Sequence, residues 1–172
     1  MKATLEIINQ MQADGIIGQY AIGGAVGATF YLEPVATLDI DVFVSFQTVP
    51  GSKLISLAPV YEYLTARGFK AEQEHIVIAG WPVKFLPPGN ALVEEALAQA
   101  VGTDVEGVQT RVMTAEHLAA MALQTGRAKD LARILQFIES GTLAADRLDG
   151  ILTRHGLVAK WENFGDKFKD NR

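Results

Sequence analysis

Gly23 and Gly24 close a short apolar stretch, Tyr20-Ala21-Ile22, and about fifteen residues later Asp39 and Asp41 stand at i and i+2 within a second one. A strand that ends in two glycines and opens a helix turns backbone N–H groups and the positive helix end toward an anion, with no Cβ in the way. That arrangement suits a phosphate. Side chains two apart on a strand share a face and lie about 7 Å apart along the backbone, so the two carboxylates can converge on a hard divalent cation such as magnesium. Two like charges on one face repel unless a cation or water compensates them.

These residues need elements to place them. Leu5, Ile8 and Met11 recur at helical spacing and predict a helix over 2–14 that Asp14-Gly15 ends. Residues 20–22 read as a strand, and 25–31 as a helix of about two turns that Pro34 prevents from continuing. Over 38–46 the alternation predicts a strand with Ile40, Val42 and Val44 on one face and Asp39, Asp41 and Phe43 on the other. A helix over 52–67, with a break or restart at Pro59 and Gly68 after it, precedes a hairpin of 75–79 and 81–86. A helix over 90–100 and a strand near 107–112 follow, and from Thr114 onward the chain reads as three or four consecutive helices, with Thr114 and Thr142 as N-cap candidates. The expected fold class is α/β (α+β), a mixed sheet flanked by helices over 1–112 and a C-terminal helical bundle over 113–172 packed on it.

Composition narrows the function. The chain has 172 residues, 49% of them hydrophobic and 20% charged, which suits one folded core and excludes a disordered chain. A net charge of −5 argues against a general binder of duplex DNA, whose affinity needs clustered cations. The absence of cysteine removes disulfides, thiolate metal sites and cysteine nucleophiles together. Polar residues interrupt the opening segment where a signal peptide would be apolar, and no window of about 18 apolar residues occurs, so a cytoplasmic location without membrane insertion is expected. His75, His117 and His155 are too scattered for a metal pair and read as structural or surface residues.

The Gly-Gly pair opening a helix, followed by Asp-x-Asp in an apolar strand, resembles the nucleotidyltransferase fold of the DNA polymerase β superfamily over roughly residues 15–140. The form Thr37-x-Asp39-Ile40-Asp41-Val42, with a later Lys129-Asp130 in Gly126-Arg-Ala-Lys-Asp-Leu131, is most similar to AbiE-type toxin nucleotidyltransferases and small antibiotic nucleotidyltransferases. A Walker A loop fails because Ala28-Thr29 follows Gly27, and a dinucleotide fingerprint fails because its first glycine falls on Ile22.

The resemblance implies that Gly23, Gly24, Thr37, Lys84 and Lys129 contact a nucleoside triphosphate. Asp39 and Asp41 would be the catalytic carboxylates and the ligands of magnesium, with room for two metals. It also implies a third carboxylate on the neighbouring strand to activate an acceptor hydroxyl. The chain departs from that pattern, because Trp81-Pro-Val-Lys84-Phe-Leu86 places Lys84 there. Glu72 and Glu74 are the candidates to replace the missing acid. The tail of the motif reads ambiguously: Lys129, Asp130 and Arg133 fit a solvated helix face, and Arg127 fits a surface charge. Two functions follow as expectations. One is transfer of a nucleoside monophosphate to a hydroxyl of a small molecule, RNA or protein. The other is a degenerate member that binds nucleotide or a partner, in the manner of a toxin–antitoxin component, without chemistry. A third expectation, from another class, is a non-catalytic α/β interaction domain.

Overall fold

The computed structural model describes residues 1–34, 37, 39–46 and 56–169, apart from the side chains of 168 and 169. The elements in chain order are α1 (Lys2–Ala13), β1 (Tyr20–Ile22), α2 (Gly24–Ala28), β2 (Ile40–Val44), α3 (Ala58–Ala66), β3 (Lys70–Glu72), β4 (His75–Ile78), β5 (Trp81–Leu86), α4 (Ala91–Ala98), β6 (Val101–Val105), β7 (Val108–Val112), α5 (Ala115–Thr125), α6 (Ala128–Glu139), α7 (Ala145–Arg154) and α8 (Val158–Lys169). Seven strands form one mixed sheet in the order β3-β4-β5-β2-β1-β7-β6, in which β2/β5 and β1/β7 run parallel and the other pairs antiparallel.

The two-residue period of the central strands creates the layers. Ile40, Val42 and Val44 of β2, with Val83 and Phe85 of β5, are buried against Leu5, Ile8 and Met11 of α1 and Val60 and Leu64 of α3. Ala21 of β1 and Phe43 of β2 point the other way, into a second core built by α4 to α8, where Leu118, Leu123, Ile134, Phe137 and Leu152 are buried. Asp41 lies on that second face, under the helices.

Two features decide where α6 sits. Gly126 caps α5 in the left-handed conformation, φ +71°, which reverses the chain at the start of α6. Phe137 then packs on Tyr31 with ring centroids 6.4 Å apart, while the Tyr31 hydroxyl donates to the Met113 carbonyl at 3.0 Å. The C-terminal end of α6 is thereby held against the segment that follows α2.

Several sequence expectations are corrected. Edge strands β3 and β6 were not expected. The helix predicted over 25–31 starts at Gly24 and ends at Ala28. The strand predicted over 38–46 is regular from Ile40 to Val44, and Leu38 lies outside the described residues. The helix predicted over 52–67 begins at Ala58, with Pro59 in its first turn rather than at an internal break, and residues 47–55 lie outside the described set. Thr114 does cap α5, accepting from the His117 N–H, but Thr142 caps nothing: Ala144 precedes α7, and the Thr142 hydroxyl donates to the Phe137 carbonyl at 3.4 Å instead.

Candidate functional site

The register of β2 against β5 sets Asp41 directly beside Lys84. Gly23 follows β1, and its N–H donates to the Asp41 carbonyl at 2.9 Å, so the glycine turn and the Asp41 side chain are locked together by the sheet. Gly24, the first residue of α2, has φ +59°, and a Cβ built there would collide with the Asp41 carboxylate. A Cβ on Gly23 would stand 2.6 Å from the Phe43 ring. Both glycines are required by close approach, and at Gly24 the absent side chain leaves room for the Asp41 oxygens.

The opposite wall comes from the helices. Leu118, Met121, Ala122 and Thr125 of α5, with Arg127, Asp130 and Arg133 from the start of α6, close a cleft of about 240 Å³ over Gly24, Asp41, Phe43, Lys84 and Leu86. Asp130 is buried and receives Arg127 Nε at 2.5 Å and Nη2 at 3.3 Å, with Arg133 Nη1 at 3.6 Å. One carboxylate thus aims two guanidinium groups at the cleft.

The charges here are coupled. Burial pushes the Asp41 carboxyl above its ordinary value, and the neighbouring Asp39 adds to the effect, while Lys84, Arg127 and Arg133 oppose it. Lys84 Nζ meets Glu74 Oε2 at 2.5 Å. That bond, with the nearby aspartates, raises the Lys84 ammonium above its ordinary value, and Glu74 is lowered in return. A cation shared by Asp39 and Asp41 would remove the repulsion that raises Asp41, and two carboxylates completed by substrate phosphates are an ordinary magnesium donor set. These residues fit that ion, although among the described residues no cluster of three His, Asp or Glu converges on a metal position.

The predicted residues therefore separate. Gly24, Asp41 and Lys84 line one cleft, Gly23 shapes its floor, and Asp39 acts on it through its charge. Thr37 is half-buried and donates its hydroxyl to the Asp39 carbonyl at 3.3 Å, which fixes the approach to β2. Lys129 is exposed and lies outside the cleft lining, because the helix turns its neighbours inward instead. Asp130 and Arg133, read from sequence as a solvated face, are inside. Their spacing with Arg127 at i, i+3 and i+6 on a helix was the available signal. Glu74 comes from the turn between β3 and β4 and reaches the cleft only through Lys84.

Two of the three histidines hold the helices together elsewhere. Glu95 of α4 receives Arg154 Nη2 at 2.5 Å, His155 Nε2 at 2.7 Å and His117 Nε2 at 3.2 Å, so α4, α5 and the end of α7 share one carboxylate. His117 and His155 are structural, as expected, but they are partners rather than isolated residues. Among the described residues no helix is long and apolar enough to cross a membrane.

No protein-family profile matches the chain, and no curated protein sequence matches it significantly. Solved structures do. The chain is similar to an antigenic nucleotidyltransferase-like protein from Paracoccidioides brasiliensis, at 15% identity and TM-score 0.59, over 98% of this chain and 91% of that one. It is also similar to the antibiotic-resistance factor ANT(2'')-Ia in solution, at 15% identity and TM-score 0.51, over 98% and 97% of the two chains. A crystal structure of ANT(2'')-Ia in complex with adenylyl-2''-tobramycin matches at 14% identity and TM-score 0.50, over 95% and 98%. At such identities the likeness concerns architecture, and the conclusion it carries is that this chain has a nucleotidyltransferase-like fold.

Proposed function

We propose that the cleft binds a nucleoside triphosphate together with magnesium, in a nucleotidyltransferase-like protein allied to the small antibiotic and AbiE-type branches by its Thr37-x-Asp39-Ile40-Asp41-Val42 segment. The observation that carries this reading is the convergence of Gly24, Asp41, Lys84, Arg127 and Arg133 on one cleft from four separate chain segments. Asp39 and Asp41 are the residues that would hold magnesium, which supplies charge neutralisation and alignment of phosphates when bound. Lys84, Arg127 and Arg133 are the phosphate-facing cations, and the arginines can each offer paired donors to phosphate oxygens.

Lys84 limits the chemistry. It stands beside Asp41 where a carboxylate would accept a proton from a hydroxyl, and its pairing with Glu74 keeps it an ammonium. A protonated lysine neither ligates magnesium nor accepts a proton. Binding is the primary function in this reading, with weak or no transfer to hydroxyl acceptors. The test is a thermal-shift screen of the four ribonucleoside triphosphates with and without magnesium, alongside pyrophosphate release with mixed hydroxyl acceptors. A ligand that binds only the folded state raises its stability, by about 2.7 kcal/mol at a hundredfold excess over Kd. At least one triphosphate should raise Tm in a magnesium-dependent way with little pyrophosphate released. No shift with any nucleotide would contradict the binding, and rapid turnover on hydroxyls would contradict the role given to Lys84.

A further inference from the structure

Among the described residues, each carboxylate at this cleft already has a task. Asp130 is buried between Arg127 and Arg133, Glu74 is held on Lys84, and Asp41, with Asp39, is the pair assigned to magnesium in the reading above. Among the described residues no histidine lines the cleft. A neutral hydroxyl, which must lose a proton to become a good nucleophile, finds no uncommitted base here. An oxygen that is already ionised needs none. The same cleft supplies three cations, one of them an ammonium in register with Asp41 and two of them guanidinium groups aimed by a single buried carboxylate. With the guanidinium forks of Arg127 and Arg133 on the triphosphate oxygens, the Lys84 ammonium beside Asp41 is the cation left for a second anion.

Resting on the nucleotide-binding reading above, we propose that the acceptor at this site is a phosphomonoester, whose ionised oxygen takes the place of a hydroxyl. One acceptor oxygen forms a bond to the α-phosphorus of the nucleotide. The bond from that phosphorus to the α,β-bridging oxygen breaks, and pyrophosphate leaves with its electron pair. The product is a disubstituted diphosphate, and no proton needs to be removed, since a phosphomonoester is largely a dianion above its second ionisation near pH 6. Lys84 then has a function as an ammonium: it holds the acceptor anion beside the triphosphate that it would otherwise repel.

Two measurements on the full chain test this. In calorimetry with chelator and no nucleotide, glycerol 3-phosphate should bind at least tenfold more tightly than glycerol, and Lys84→Gln should lose at least fivefold of that affinity. With magnesium and an equimolar mixture of the four triphosphates, glycerol 3-phosphate should release pyrophosphate at least tenfold faster than glycerol or acetate. The phosphorus NMR spectrum should show the new diphosphate linkage, with a rate that rises through about pH 6 and then levels. Lys84→Asp should lose the phosphate-dependent release while binding magnesium more tightly. Equal affinity for glycerol and glycerol 3-phosphate, or faster release with glycerol, would overturn the proposal. Triphosphate binding without phosphate-dependent release would overturn it and leave the binding reading standing, whereas absence of triphosphate binding would overturn both.

Discussion

At the scale of single residues, Gly24 is the position where sequence and chemistry meet most tightly. Its left-handed backbone and the collision of any Cβ with the Asp41 carboxylate are independent constraints. Gly24→Val should cost about 1–3 kcal/mol through backbone strain alone, a Tm lower by several degrees for a chain of this size. The displaced Asp41 should also weaken magnesium-dependent nucleotide binding at least tenfold, provided circular dichroism shows the fold intact. A folded variant with unchanged affinity would reduce the glycine to a turn former. Gly23, Gly24 and Asp41 were legible in the sequence because a strand period and a glycine break are local signals. Arg127 and Arg133 were not, because their direction depends on how α6 docks through Gly126 and Phe137, a contact with Tyr31 more than a hundred residues away. Lys129 is exposed while its neighbour Asp130 faces inward, because spacing in a short motif does not say which side chain of a turn meets the sheet.

At the scale of elements, the central strands were readable and the edges were not. β2 alternates cleanly because one face is buried under α1 and α3, whereas Lys70-Ala71-Glu72 of β3 is wholly exposed and Val101-Gly102-Thr103-Asp104-Val105 of β6 carries a glycine and no buried residue. Edge strands gain their partners from the sheet, and nothing in their own pattern announces it. The helices are joined by Glu95, whose carboxyl is lowered to about 2, first by Arg154 and also by His155 and His117, against the cost of burial. Glu95 accepts at both oxygens, so His117 donates from Nε2 and its Nδ1, 2.8 Å from the Thr114 hydroxyl, accepts in the neutral ring. Burial holds His117 below its ordinary value despite that carboxylate. The unfolded chain therefore binds a proton more readily at this histidine, and its contribution to stability is present at neutral pH and lost as pH falls below about 6.5. Glu95 is also lowered, by Arg154, His155 and His117, and its contribution has the same sign in acid: it is complete above about 4.5 and lost toward about 2. His117→Gln should lower Tm at pH 8 by the equivalent of about 1–2 kcal/mol, and the gap to wild type should narrow as pH falls from 8 to 5. A gap that stays constant or widens would contradict the neutral, donor role of His117.

At the scale of the whole molecule, the sheet faces divide the labour. One apolar layer under α1 and α3 fixes the register that sets Asp41 beside Lys84, and the second layer brings α6 across the opposite face, the one Asp41 points into. The cleft lies between that second sheet face and the helices α5 and α6, which is why its cationic wall follows from tertiary packing rather than from any one motif. The most direct measurement of the central claim is calorimetric titration of magnesium and nucleoside triphosphate into wild type and Asp41→Asn. Because burial and Asp39 make an ionised Asp41 unfavourable in the fold, the amide should raise the Tm of the ligand-free protein at pH 7. It should at the same time abolish the magnesium dependence of nucleotide binding. A variant that is more stable alone and has lost that dependence is the predicted result, and magnesium-dependent nucleotide affinity equal to wild type would contradict the account.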